Sequence, residues 1–319
     1  MPASTRMCVN GAMSTTPSTP DAITVVGPQP VHKPDAVSLV VLNRGPRHNR
    51  YPWFERAEAE PFHEIISIEP KERAYSVEPL ARQLRRTRFA LVAPGANPAV
   101  GLRAAARIGQ TDYVLVIWST MTMPKGIERA RAHFERSPVQ AVGPALSGDR
   151  GETIPCVHVP QSGRRVLRID NRPPRSSAVP TLYLFEHVGL YRRSALLEPN
   201  GYDSELTNPY WQRLDFGMRN FMWGNELLVE PAFRASYTTM PEEENRTADA
   251  NYARFYARNV ALRVRANGVG IPWYKPLGFA LRSRAPIGVV AREFRAAGAW
   301  IQHNQANYVR TASEVVETW

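Results

Sequence analysis

Four short, almost uninterrupted apolar runs, each closed by a turn signal, limit what this chain can fold into. They are Val37–Leu42 (VSLVVL), His63–Ile68 (HEIISI), Arg88–Val92 (RFALV) and Tyr113–Trp118 (YVLVIW). Runs of this length and continuity predict strands buried on both faces, the situation of a parallel sheet. The segments between them have helical character. Tyr51–Glu60 mixes aromatic and acidic residues, Val77–Thr87 is basic, and Pro98–Ile108 (PAVGLRAAARI) has Pro at its first turn and Asn97 as its cap. A helix over Lys125–Glu135 and a fifth strand at Val139–Val142 continue the alternation. Strands alternating with helices over short connections predict an α/β, doubly wound sheet, and such sheets bind ligands beyond the carboxyl ends of their strands.

That rule selects the candidate ligand positions: Leu42, Asn43 and Arg44 after the first strand, Glu69 after the second, Pro94 to Asn97 after the third, and Ser119 to Met121 after the fourth. No Gly-x-Gly-x-x-Gly follows the first strand and no Gly-x-x-x-x-Gly-Lys-Ser/Thr occurs, which argues against a dinucleotide oxidoreductase and a P-loop nucleotidase. The pattern changes after Gly148. Thr153–Val159 and Arg165–Ile169 predict a strand pair, Leu182–Tyr191 is apolar, and Leu214–Trp223 predicts a helix with Gly224 just past its end. From Thr247 onward the chain is helical again, with Tyr252, Phe255, Tyr256 and Val260 as a packing stripe, an interruption at Pro272–Pro276, and an amphipathic helix over Ala285–Gln302.

At 43% hydrophobic residues the chain can bury a sizeable core. No apolar run approaches the roughly 20 residues that span a bilayer. Residues 1–36 are rich in Ser, Thr and Pro, lack the charged and apolar regions of a signal peptide, and predict a disordered tail in which Met7 or Met13 could be the start. With only Cys8 and Cys156 present, a disulfide framework or zinc site is not expected, and a reducing cytoplasm is the natural compartment. The net charge of +11 is mostly scattered arginine. Without a recognisable nucleic-acid motif it predicts a solvated basic surface, or one that attracts phosphates or anionic lipid head groups at the inner membrane face, rather than a nucleic-acid partner.

Residues 37–142 followed by Gly201–Gly224 resemble the inverting family 2 type of GT-A glycosyltransferase. Gly201-Tyr202-Asp203 is similar to the family's Gly-Phe-Asp entry to the acceptor region. Trp211-Gln212-Arg213-Leu214-Asp215-Phe216-Gly217-Met218-Arg219 with Trp223-Gly224 follows the layout Glu-Asp-x-Asp-(Leu/Phe)-x-x-Arg-x-x-x-x-Gly. The resemblance implies a GT-A-type doubly wound mixed sheet over 37–245, a helical C-terminal appendage over 246–319, and a nucleoside-diphosphate sugar as donor. It implies that the nucleotide lies over Leu42, Asn43, Arg44, Glu69, Asn97, Ser119 and Thr120, that the acceptor is a glycan, lipid or protein, and that the setting is cell-envelope glycan biosynthesis.

Two departures qualify it. Trp118-Ser119-Thr120 stands where the family carries Asp-x-Asp, whose carboxylates hold Mg²⁺ or Mn²⁺ against the diphosphate, so no metal ligand is assigned. Arg44, Arg47 or Lys125 would then have to supply the positive charge. The family's acidic pair aligns with Gln212-Arg213, which leaves Asp215 as the candidate base; a helix-start or ring-binding role competes. His187 is a candidate acceptor contact or a satisfied core histidine, and Trp211 a candidate acceptor platform. Two rivals stay open: a catalytically degenerate binding protein, and a nucleotidyltransferase using Asn43–Arg50 (NRGPRHNR).

Overall fold

The computed structural model describes residues 23–44, 50–135, 138–162, 167–265, 268–283 and 285–319. In chain order the first half runs β1 (Thr24–Val26), β2 (Val37–Leu42), α1 (Tyr51–Ala59), β3 (Glu64–Pro70), α2 (Ala74–Gln83), β4 (Thr87–Val92), α3 (Pro98–Ile108), β5 (Tyr113–Trp118), α4 (Ile127–Ala132) and β6 (Val139–Ser147). Then follow β7 (Thr153–Ile154), β8 (Val157–Ser162), β9 (Leu167–Arg172), β10 (Val179–Pro180), β11 (Gly189–Arg192), α5 (Pro209–Met222) and β12 (Glu226–Ser236). The C-terminal layer holds α6 (Ala250–Phe255), β13 (Arg263–Arg265), β14 (Gly268–Gly270), α7 (Lys275–Ser283), α8 (Ile287–His303) and α9 (Ala312–Glu317).

The four apolar runs become β2 to β5, and they are buried because helices cover both faces. They lie side by side in parallel as β4-β3-β2-β5. Beyond β5 the sheet turns mixed: β11 pairs antiparallel with both β5 and β6, β12 runs parallel to β6, and β10 closes that edge antiparallel to β12. The apolar segment 182–191 is not one strand. It breaks at a tight turn, Phe185–His187, in which Glu186 and His187 both have positive φ (51° and 63°), and only Gly189–Arg192 pairs.

Other differences have local causes. Part of the expected disordered tail is ordered: β1 pairs antiparallel with β4 at the far edge, and Lys33 N–H donates to the Gln110 carbonyl at 2.8 Å. Residues 1–22 lie outside the described residues. The helix expected to be capped by Thr247 begins at α6 instead, where the Asp249 carboxylate accepts from the Asn251 and Tyr252 N–H groups. The C-terminal helical appendage packs directly onto the sheet unit. Phe255, Ile301, Tyr308 and Val315 belong to the same hydrophobic core as the sheet, because α6 packs across α5 and α9 packs on its far end.

Candidate functional site

The carboxyl ends of β2, β3 and β5 carry a connected polar cluster. Asn43 donates to Ser67 Oγ (3.0 Å), the Ile68 carbonyl (2.7 Å) and Glu69 Oε1 (3.0 Å), and its own Oδ1 accepts from Arg50 at 2.8 Å. Arg50 also reaches Glu69 at 2.6 Å. Glu69 is fully buried beneath this lattice. It therefore organises Asn43 and Arg50 rather than presenting an acid to a base, as its place at a strand end had suggested. One strand over, the Leu42 carbonyl accepts from Ser119 N–H at 2.8 Å. Ser119 Oγ accepts from Arg44 N–H and donates to the Arg44 carbonyl, both at 3.1 Å, so the two strand ends are locked together.

Above them, Trp118 fills the place where the sequence resemblance calls for a metal-binding carboxylate. Its indole N–H donates to the Glu186 carbonyl at 2.8 Å, and the Arg44 guanidinium stacks over its ring at 4.1 Å. The Glu186 carboxylate pairs with Arg44 and, at 2.9 Å, with Arg213. Arg213 in turn pairs with Glu244 at 2.8 Å, and Glu244 with Arg246 at 2.9 Å. Burial alone would raise the Glu186 carboxyl, but the charges of Arg213 and Arg44 more than offset this and hold it below the ordinary carboxylate range. The left-handed backbone at Glu186 and His187 costs free energy for non-glycine residues and persists here because this network and the indole hold it.

Several buried polar atoms around this chain of charges have no hydrogen-bond partner among the described residues: Arg44 Nη1, Thr120 Oγ1, Arg213 Nε and the Tyr237 hydroxyl. Tyr237 lies within electrostatic reach of Glu186, Arg44 and Arg213. Thr120 is tied to the next residue, its carbonyl accepting from Thr238 N–H at 2.7 Å. Buried polar groups are almost always paired, so these four atoms have hydrogen-bonding capacity to spare, as do other buried polar atoms elsewhere in the chain. The donor set does not suit a divalent cation. Trp118 cannot ligate, Ser119 and Thr120 offer neutral hydroxyls, and Glu186 is committed to two arginines. Among the described residues no group of three or more His, Cys, Asp or Glu side chains could hold a metal.

The remaining sequence candidates fall elsewhere. Asn97 caps α3 through the Val100 N–H (3.3 Å) and donates to the Ser204 carbonyl (2.8 Å), joining the strand-end loop to the 203–206 loop. His187 follows Glu186 but points into the core, where its Nε2 meets Gln212 Oε1 at 3.1 Å and its ring meets Tyr202 edge-on. Its burial pushes the imidazole down to about 3, so it is a neutral core histidine.

Trp211, the candidate acceptor platform, is buried. Its indole N–H donates to the Thr247 carbonyl (2.9 Å) and its ring packs against Tyr252 and Phe255. Asp215 is fully buried, with Oδ2 bonded by Arg219 (2.8 Å), Oδ1 by Asn259 (2.8 Å), and Arg258 at 3.5 Å. Burial would raise its carboxyl, yet these two charges and the amide hold it low. It anchors α5 to the C-terminal layer and offers no free face to an acceptor hydroxyl. Helices place residues one turn apart on one face; α6 covers that face at Trp211, and the turn that follows it, Tyr256–Val260, covers it at Asp215.

Of the sequence candidates, Arg44, Ser119 and Thr120 lie in this polar cluster. Sequence reasoning had noted Arg213 only as an obstacle, and it had not singled out Arg50, Glu186, Tyr237 or Glu244. Arg213 was the available signal, a charged residue on a helix otherwise turned inward; nothing local marks Glu186 or Glu244 as its partners.

No protein-family model and no curated protein matches the sequence. Among solved structures the chain is similar to GalNAc-T7, crystallised with UDP, GalNAc and Mn²⁺, at 12% identity and a TM-score of 0.54. That alignment covers 88% of this chain and 55% of the GalNAc-T7 chain, so this chain spans little more than half the length of that protein. Weaker likenesses are to S. aureus TarS residues 1–349 (13% identity, TM-score 0.45, 86% of this chain and 93% of that one). A second TarS structure gives 15% identity and a TM-score of 0.45 over 89% of this chain and 55% of that one. Together with the mixed sheet and its helical layers, the likeness to GalNAc-T7 shows that this chain has the GT-A-type fold of glycosyltransferases.

Proposed function

We propose that the protein binds a nucleoside-diphosphate sugar over the carboxyl ends of β2 and β5 and transfers the sugar, with inversion, to a glycan, lipid or protein acceptor in the manner of family 2 enzymes. The observation that carries this reading is the convergence of Arg44, Arg213, Thr120 and Tyr237, with their unpaired polar atoms, at the end of the sheet where α/β folds receive ligands. Arg44, whose side chain stays about 30% exposed, provides the positive charge that a diphosphate requires, and a guanidinium matches phosphate oxygens in pairs; Arg213, buried behind it, holds Glu186 in place. On this reading donor binding depends on arginine rather than on Mg²⁺ or Mn²⁺. A glycosyltransferase-fold neighbour crystallised with UDP and Mn²⁺ supports the ligand class, not the metal.

A second reading, donor binding without transfer, is favoured by one observation. The carboxylates nearest this face are each held by arginine: Asp215 by Arg219, Glu186 by Arg44 and Arg213, and Glu244 by Arg213 and Arg246. Inverting transfer needs a base to take the acceptor proton.

Calorimetric titration with UDP, GDP and their sugars, each with Mn²⁺ and with EDTA, tests the first reading. The expected result is binding of at least one nucleotide with an affinity unchanged by EDTA, weakened about tenfold or more in Arg44→Ala, since a charge-assisted hydrogen bond contributes ~1.5–3 kcal/mol. No heat with any nucleotide would remove the donor site. Binding without turnover in a donor-consumption assay across glycan and lipid acceptors selects the second reading.

A further inference from the structure

The C-terminal layer carries a surface that the sugar chemistry does not use. Between residues 260 and 290 the sequence has five Lys and Arg residues and no Asp or Glu. Within that stretch Trp273, Leu277, Leu281 and Ile287 are exposed to 86, 56, 75 and 61%, with Tyr274 partly so. Their exposure is imposed by the fold. Phe279 is buried against Tyr252, Tyr256 and Phe294, and this fixes α7 with Phe279 inward. At 100° per residue, Leu277 and Leu281 lie two positions to either side and so point outward together. Trp273 and Tyr274 directly precede this helix and Ile287 starts the next one.

Cations border the apolar residues. The Arg263 guanidinium lies 6.0 Å from the Tyr274 ring centre, and the ammonium of Lys275 is held below its ordinary range by partial burial and by the neighbouring charges of Arg263 and Arg282. An apolar cavity of about 510 Å³ opens beside Trp273 and Pro276, walled by Ile271, Phe294 and Arg295.

We infer that this face, built on Trp273, Leu277 and Leu281 and bordered by Arg263, Lys275 and Arg282, docks the protein on an anionic lipid bilayer. The juxtaposition fits that surface on two counts. Trp and Tyr favour the head-group level and Leu the acyl boundary beneath it. Basic residues flanking an apolar helix face, with no acid among them, complement the negative potential of anionic leaflets. No helix is long and apolar enough to cross a membrane among the described residues, so the contact is one of lying on the bilayer. The inference is independent of the donor site, which is built from other residues.

Co-sedimentation of the full chain with lipid vesicles tests it. Vesicles of phosphatidylcholine with a minor fraction of phosphatidylglycerol should retain the protein, pure phosphatidylcholine vesicles should not, and added salt should weaken retention. Trp273→Ala and Leu281→Ser should each lower the partition coefficient roughly tenfold, as expected for withdrawing one large apolar group from the interface. Lys275→Glu should lower it about tenfold or more through two units of charge. Trp273 and Leu281 are exposed and Lys275 is only half-buried, so circular dichroism and Tm should be unchanged; should one variant misfold, the other two still give the readout. Equal binding to both vesicle types, absence of vesicle binding, retention on nucleic acid alone, or binding indifferent to all three substitutions would overturn the assignment. The nucleotide titration needs no vesicles, so failure here leaves that result standing.

Discussion

His158 and His187 show most directly how burial sets the chemistry of single residues. Both are enclosed. Burial holds His187 at about 3 and His158, stacked on Tyr183 at 3.9 Å and bonded to Asn171, at about 4, against an ordinary value of 6.5. Above pH 6.5 the rings are neutral in the folded and unfolded chain alike. As pH falls below 6.5 the unfolded chain takes up protons that the folded one refuses, so stability drops. The slope is roughly 1.4 kcal/mol per pH unit for each ring until its folded value is passed. Tm should therefore fall between pH 6.5 and 4, and less steeply in His187→Gln, which retains a partner for Gln212. A slope identical to that of the parent would assign the pH dependence to other groups. Asp215 acts lower. Its depressed carboxyl adds stability above its ordinary value of 3.8, and this is lost as pH falls further.

Asp215 also gives a residue-scale prediction of its own. Removing its carboxylate leaves Arg219 and Arg258 buried without their common partner. Asp215→Ala should thus lower the unfolding free energy by about 3–5 kcal/mol, measured by urea denaturation. An undiminished midpoint would show that the carboxylate is not the anchor of α5. Loss of turnover with stability spared would instead assign Asp215 the role of base.

At the scale of elements, α5 is the part on which sheet and C-terminal layer both depend. Its start is set by Asn208, which caps the Tyr210 N–H at 2.9 Å, and by Pro209 in the first turn. Gly224 ends it with φ of 79°. Within the helix, Gly217 lets segment 182–183 lie directly against the backbone, and an added Cβ would overlap the Leu182 carbonyl oxygen. Gly217→Ala gains helix propensity of about 1 kcal/mol, but it must displace backbone that carries Glu186 three residues later. We expect a net loss of at least ~2 kcal/mol and, through the displaced Glu186, weaker nucleotide binding. Chemical denaturation and titration of one sample would check both, and a stabilised variant would contradict the packing described.

The α3 cap is the milder case. Asn97→Ala should cost about 1 kcal/mol and loosen the 203–206 loop, visible as faster amide exchange at Leu206. Unchanged exchange there would mean that the Asn97–Ser204 contact does not hold the loop.

Across the whole molecule, the C-terminal layer completes the fold and is not an optional attachment. Tyr252 and Phe255 cover Trp211, and Arg258 and Asn259 complete the shell of Asp215. A chain ending at residue 245 would expose that indole and strip Asp215 of Asn259 and Arg258, so it should be insoluble or bind apolar dyes. A soluble, cooperatively unfolding product in calorimetry would show that the sheet half folds alone.

What the sequence determined by itself was the parallel half of the sheet. Continuous apolar runs have one economical fate, burial between helical layers, so β2 and β5 could be read to the residue, and β3 and β4 to within two. Helix α3 could be read from Pro98 and its Asn97 cap, because those signals are local. Tertiary structure alone decided the site. Glu186 became a partner for two arginines only when a left-handed turn carried it beneath Trp118. Glu69 and Asp215, which have the residue type and position of functional acids, were enclosed by Arg50 and by Arg219, Arg258 and Asn259. Whether a carboxylate is a ligand, a base or an anchor depends on which charges arrive beside it from distant segments. Pattern along the chain records periodicity and caps, and it does not record those arrivals.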